Sequence, residues 1–236
     1  MIFCHLLLAH LIADFPLQFN EIFKLKLKSK WGVLLHCAII GVVAILFLLP
    51  YLFTMRMWIV IIILIVTHFI VDYTKIAFTK KTENLDNLWM FLLDQCLHIL
   101  TAWLVSLIII PIQAPLLVLP ESIRGVLENK RIILTISGFI AAGYFGAIFI
   151  HYLKKIFIKG YMSLSLNTKR YGIVERLLVV ALILLPCLFF LFIPIVLITR
   201  MAISSVKEKE YSLFDSIAST AFAVIFGLVL KVFLWL

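Results

Sequence analysis

Ala9-His10-Leu11-Ile12-Ala13-Asp14-Phe15 and Thr67-His68-Phe69-Ile70-Val71-Asp72-Tyr73 are one device written twice. Each puts a His-x-x-x-Asp pair near the end of an apolar segment. Each is followed by a further metal-type ligand near the start of the next apolar segment: His36 after the first, Asp94 and His98 after the second. His10 precedes His36 by the same 26 positions as His68 precedes Asp94. Residues four apart share one face of a helix, one turn apart. A His and an Asp at that spacing can therefore reach one bound ion. The first four segments read as two duplicated helical hairpins.

Composition supplies the setting. The chain is 64% hydrophobic, and its mean hydropathy is +1.18. Both values are far above those of a soluble domain. Apolar runs reach the roughly 20 residues needed to cross a hydrocarbon core of about 30 Å. Spans are expected near Met1–Phe15, Gly32–Phe53, Trp58–Phe78, Leu88–Ile112, Ile132–Ile158, Ile173–Thr199 and Leu213–Leu236. All should be helices, because lipid offers the backbone no hydrogen-bond partner. The expected fold is thus an all-α polytopic integral membrane helix bundle of about seven spans. Residues 1–112 would carry the duplicated hairpins, 113–131 an external loop and 132–236 the C-terminal membrane helices. The first segment lacks the basic start and cleavage site of a signal peptide and reads as a mature helix. The sixth span contains Pro186 and Pro194 and is read as one kinked crossing, with a re-entrant pair as the alternative.

The net charge of +9 is no nucleic-acid footprint, because the basic residues cluster in alternate loops. Lys24, Lys26, Lys28 and Lys30 follow the first span. Lys75, Lys80 and Lys81 follow the third. Lys154, Lys155, Lys159, Lys169 and Arg170 follow the fifth. The positive-inside rule puts these loops in the cytoplasm, the amino terminus outside and the carboxyl terminus inside. The expected location is a cell membrane of the bacterial inner-membrane type. Arg200, Lys207 and Lys209 run against this topology if the sixth span crosses once.

Placed along the spans, His10, Asp14, His36, His68, Asp72, Asp94 and His98 fall in one layer near one face, on four helices. An isolated His-x-x-x-Asp pair in a membrane helix is more often a hydrogen-bonded pair than a metal site. Three such pairs in one layer change the balance. Each aspartate costs about 2.5–3.5 kcal/mol at the helix centre, less near the interface, and a divalent cation would compensate. Four histidines and three aspartates exceed the ligands of one zinc. The expectation is a divalent transition metal, as two ions with one bridging Asp. The donor set suits Zn, Mn or Fe and does not choose among them. Asp14, Asp72 and Asp94 are also the candidates for a catalytic carboxylate.

Other polar residues have smaller roles. Lys75 and Arg176 are candidates for binding an anionic substrate, although Arg176 can equally pair with Glu175. Gln18 and Gln95 are candidate outer partners of the ligands. His5 lies off the layer and reads as a packing histidine. Lys24 to Lys30 read as a topology and lipid-headgroup signal. Glu210 and Asp215 open the last span. Cys4, Cys37, Cys96 and Cys187 read as apolar residues, since no CxxC spacing occurs.

The ordered set AHLIADFPLQ, LLHCAI, THFIVDYTK and FLLDQCLHIL resembles a family of membrane proteins, domain of unknown function 3307. The segments GIVER and KEYSLFDSIAST look like its C-terminal portion. The resemblance implies a helical membrane fold but no activity; its general look is similar to membrane-bound metal-dependent hydrolases, by analogy alone.

Three functions fit these residues. The first is a membrane-embedded metal-dependent hydrolase acting on a small amphiphilic, anionic substrate at the cytoplasmic face, with membrane lipids as surroundings. The second is a metal- or proton-coupled transporter, against which stands the placement of the ligands away from the midplane. The third is a non-catalytic scaffold whose metal staples the hairpins.

Overall fold

In the computed structural model, residues 1–52, 54–82, 85–108, 120–158, 166–186, 188–207 and 213–235 are described. Cys187, Lys159, Lys209 and Glu210 lie outside these, as do residues 113–119 of the expected external loop. The described residues are helical throughout, joined by turns. Contacts divide the chain into two compact units, Met1–Ser137 and Gly138–Leu236. Among the described residues, five helices are long and apolar enough to cross a membrane. The protein is an all-α helical membrane protein.

The first unit holds α1 (Ile2–Asp14), α2 (Asn20–Lys28), α3 (Lys30–Leu48), α4 (Met55–Lys81), α5 (Leu88–Leu107) and α6 (Glu121–Leu127). Helix α1 packs on α3 and α5, α3 packs on α4, and α4 packs on α5, so these four close a ring. Helix α1 is apolar around most of its circumference apart from His5, His10 and Asp14, and Leu6, Leu8, Ala9 and Ala13 are fully buried. A helix hydrophobic nearly all round belongs in an interior. The outward faces of the others are greasy instead: Ile59, Ile62, Val66 and Ile70 on α4 are exposed, as lipid-facing residues should be. Ser29 caps α3 by accepting from the Gly32 amide, and Asn87 caps α5 by accepting from the Met90 amide.

The first expected span is the first point of difference. Helix α1 has 13 residues, about 20 Å at 1.5 Å per residue, short of a hydrocarbon core of about 30 Å. Its end is set by one residue. Pro16 follows Phe15 where the second copy has Thr74 after Tyr73. Proline lacks the amide needed to continue the helix and disfavours helical backbone in the residue before it. The first copy therefore stops at Asp14, and the chain returns as α2. The second copy runs on to Lys81.

Helix α2 sits so close to α3 that a Cβ on Gly32 would collide with the Leu25 carbonyl. Backbone cannot yield as a side chain can. Gly32→Ala should lower stability by about 1–3 kcal/mol, the usual cost of overpacking, read as a lower melting temperature in detergent. An unchanged melting temperature would mean that α2 is not held against α3.

The second unit holds α7 (Lys130–Phe157), whose first turns belong to the first unit, then α8 (Leu166–Leu184), α9 (Ile193–Lys207) and α10 (Leu213–Trp235). Ala142, Val179, Val180, Ile183, Ala223 and Leu230 form its core. Here the expectation of one kinked sixth span is overturned. Helix α8 ends at Leu184, ahead of Pro186, and a short 3-10 turn (Phe189–Phe192) leads into α9. Pro194 falls in the first turn of α9, where its missing amide does no harm. The chain reverses: Arg200 Nε lies 3.5 Å from Glu175 Oε2, and its guanidinium lies over the Tyr171 ring. In one straight helix those positions would be about 37 Å apart. Lys154 Nζ donates to Asp215 Oδ2 at 2.7 Å. The end of α7, the start of α8, the end of α9 and the start of α10 thus share one end of this unit, and Trp235 points to the other.

Candidate metal centre

The seven side chains singled out by the duplication come together. His10 and Asp14 lie on the last turns of α1, His36 on the second turn of α3, and Asp94 and His98 in the early turns of α5. His68 lies at the centre of α4 and Asp72 one turn beyond it, rather than near the helix end as the sequence reading expected, because α4 runs on to Lys81. All are buried, the most exposed being Asp14 at 7%. The His10 and His68 ring centroids are 5.7 Å apart, His36 and His68 are 5.3 Å apart, and His68 stacks on His98 at 3.9 Å.

Three groups of ligand atoms each fit within 4.8 Å: Asp14, His36 and His68; Asp72, Asp94 and His98; His10, His68 and His98. The first two share no residue. One gathers a His, a His and an Asp from α1, α3 and α4. The other gathers two Asp and a His from α4 and α5. Asp72 stands between them. Its Oδ2 is 3.2 Å from His68 Nε2 and 3.7 Å from His36 Nε2, while its Oδ1 is 3.7 Å from His98 Nε2. One carboxylate therefore turns one oxygen to each group.

Most of these approaches lack the alignment of a hydrogen bond. His36 Nε2 does bond to Asp14 Oδ1 at 2.9 Å. Both ring nitrogens of His10, Nε2 of His68 and Nε2 of His98 are buried with no hydrogen-bond partner. Buried polar atoms are normally satisfied, and each exception calls for an explanation. Nitrogen and oxygen lone pairs aimed at shared points are what a cation satisfies, so the donor set fits a divalent transition metal.

Outer partners are present. Gln95 Nε2 donates to Asp94 Oδ2 at 3.1 Å, and Gln18 Nε2 is 3.4 Å from His36 Nε2. Lys75, read from sequence as a substrate contact, instead donates to Asp94 Oδ2 at 2.8 Å. It remains 27% exposed, so Asp94 is the carboxylate joined to the surface. His5 is buried off the layer, 2.7 Å from the Leu127 carbonyl oxygen. Cys4 and Cys37 are buried and Cys96 is exposed, all as free thiols.

Lys26 is the residue the sequence reading missed. Read as part of a headgroup signal, it is buried, with Nζ 2.6 Å from Asp72 Oδ2. Burial alone would lower its pKa, but the Asp72 and Asp14 carboxylates outweigh that and raise it, which keeps the ammonium charged. Helical periodicity carried a partial signal: Ile22 and Lys26, four apart, share the face of α2 turned inward.

Arg176 belongs to the second unit. Residues Ala141–Phe145 of α7 form a π-helical turn, which displaces carbonyls from the regular ladder. Arg176 Nε donates to the Ala142 oxygen and Nη2 to the Gly143 oxygen, each at 2.9 Å, and Nη1 donates to Ser219 Oγ at 2.9 Å. Its neighbour Glu175 accepts from the Thr220 hydroxyl at 2.6 Å. The guanidinium is engaged as a clamp.

These features define a class: a polytopic helical membrane protein with a buried His/Asp cluster able to hold metal. Residues 2–123, which contain all four quoted motifs and the whole cluster, match the family described as Protein of unknown function (DUF3307). The match covers more than half of the chain, and the chain belongs to that family. The GIVER and KEYSLFDSIAST segments lie beyond the matched region. No curated protein and no solved structure matches the chain.

Proposed function

We propose that the first unit is a dinuclear metal centre that hydrolyses an amphiphilic, anionic substrate at the cytoplasmic face of the membrane. The observation that carries this is the pair of ligand groups with no shared residue, Asp14–His36–His68 and Asp72–Asp94–His98, with Asp72 between them. With Asp72 shared, one ion would have four protein ligands and the other, held by Asp72, Asp94 and His98, only three. Three protein ligands leave a coordination position for water, as catalytic sites do and closed structural sites do not. A bound divalent cation there would lower the pKa of water and polarise a phosphoryl or carbonyl oxygen. Asp72 would bridge, and Asp14, His36, His68, Asp94 and His98 would complete the ligand set. Asp94, whose Oδ2 accepts from Lys75 and Gln95, would be the ligand joined to the exposed rim. Exposed Lys24, Lys28 and Lys30 beside the site suit an anionic headgroup.

The positive-inside rule supports the cytoplasmic side for the ligand layer, which shares its end with α2 and with Lys80 and Lys81. Applied to the second unit by itself, the rule puts the end holding Lys154 and Arg200 in the cytoplasm. With α9 folded back, Arg200 no longer lies on the wrong side, and Lys231, toward the Trp235 end, is engaged with the Ile183 carbonyl. Trp235 then faces outward, in place of the cytoplasmic carboxyl terminus expected from one kinked span.

Purified in detergent, the protein should hold between one and two equivalents of a transition metal, about two when saturated, measured by elemental analysis. It should then cleave a member of a panel of phosphoester and lipid substrates, with activity lost on chelation and restored by metal. Metal-loaded protein with no activity across the panel would favour the scaffold, and protein without metal would overturn the centre.

A further inference from the structure

We infer that Lys26 is a tethered cation occupying the seat of one metal, and that α2 is the gate that carries it in and out. The inference rests on the metal-centre reading and deepens it. Lys26 Nζ binds Asp72 Oδ2 at 2.6 Å, the oxygen turned toward His36 and His68. The ammonium therefore lies on the side of the group formed by Asp14, His36 and His68. A divalent cation bridging through Asp72 needs that same oxygen. Two cations cannot share it at bonding distance, so filling this seat requires Lys26 to leave.

The build of α2 suits such a movement. Lys26 is the one buried side chain of its nine residues. Phe19, Phe23, Leu25 and Leu27 around it are exposed. The helix is bounded by non-helical joints at Phe15–Phe19 and at Ser29, whose backbone is extended. A short amphipathic helix with greasy flanks and lysine heads is suited to a membrane surface, so α2 could move there at the cost of its close contact with Gly32. Withdrawal would also bring an ammonium from the metal seat to the headgroup level, where it can hold an anion. With Lys26 in, the first group is filled by the protein's own charge; with Lys26 out, it is open to metal. The second group turns Asp72 Oδ1 and Asp94 Oδ1 to His98, while Lys26 and Lys75 hold only the Oδ2 atoms, so this seat needs no cation displaced and the two sites should load in order.

The test uses the full chain in detergent micelles, titrated with Co2+ followed by its absorption, and with Zn2+ by calorimetry. Lys26→Met keeps length and removes charge. In wild type two binding steps are expected, the second weaker. In Lys26→Met the second should tighten by roughly tenfold or more, since no resident cation must be displaced. Independently, an environment-sensitive fluorophore on Phe23→Cys, with Cys96 and Cys187 replaced by serine and Lys26 intact, should change emission with the second equivalent and not the first. Unchanged or weaker second binding in Lys26→Met, or a silent probe, overturns the gate while leaving the metal centre standing. If neither wild type nor variant binds either metal, the centre itself is overturned and the gate with it.

Discussion

Asp72→Asn should strip the centre of metal. Asparagine keeps the shape of aspartate and removes its charge and one acceptor, so the bundle keeps its packing while the bridge is lost. Asp72 is within 3.7 Å of His36, His68 and His98 and is paired with Lys26. Among the described residues, no other carboxylate faces both ligand groups. Loss of an outer partner of a ligand already lowers metal affinity by about 10–100-fold. Loss of the bridging ligand should exceed the upper end, leaving metal near background in purified protein. The variant also leaves the Lys26 ammonium buried opposite a neutral amide, so its melting temperature should fall. His5→Gln is the control. His5 is as buried as the ligands but bonds to the Leu127 carbonyl off the layer. Its replacement should leave metal content unchanged. Equal metal in wild type and Asp72→Asn would refute the ligand assignment.

Arg176→Met should destabilise the second unit by about 3 kcal/mol or more, because three hydrogen bonds from a charged donor disappear in a buried place. The Ala142 and Gly143 carbonyls, displaced from the helix ladder by the π-helical turn, would lose their donors. Ser219 would lose its partner across from α8. Arg176→Lys should rescue little, since a single ammonium cannot span the planar fork. Thermal unfolding in detergent reads both. If Arg176→Met melts with the wild type, the guanidinium is not the clamp and is again a candidate for binding an anionic substrate.

The cluster was legible because its two signals are local. The i, i+4 spacing of His10 with Asp14, His68 with Asp72 and Asp94 with His98 follows from helix geometry, and the equal spacing of the two copies brings them to one depth whatever the topology. Apolar run length identified the long membrane helices, but not the short α2 and α6 or the separate α9. Pro16 and Pro186 were visible too, but their consequences were not. A proline limits where a helix can continue; it does not say where the chain goes next.

That direction depends on contacts distant in sequence. The return of α9 rests on Glu175 meeting Arg200, and the placement of α10 on Lys154 meeting Asp215. Buried charge must find its opposite, and only the folded chain decides which one. Lys26 is the sharpest case. In the sequence it is one of several alternating lysines, and all of them read as a headgroup signal. The tertiary structure turns one of them inward onto Asp72, because α2 lies against Gly32 and presents that face alone to the carboxylates. The sequence by itself determined a helical membrane protein with seven metal-type ligands in one layer. The packing of α2 and the reversal at Pro186 decided which charges those ligands and helices meet, because a charge pair between distant residues leaves no periodic trace in the chain.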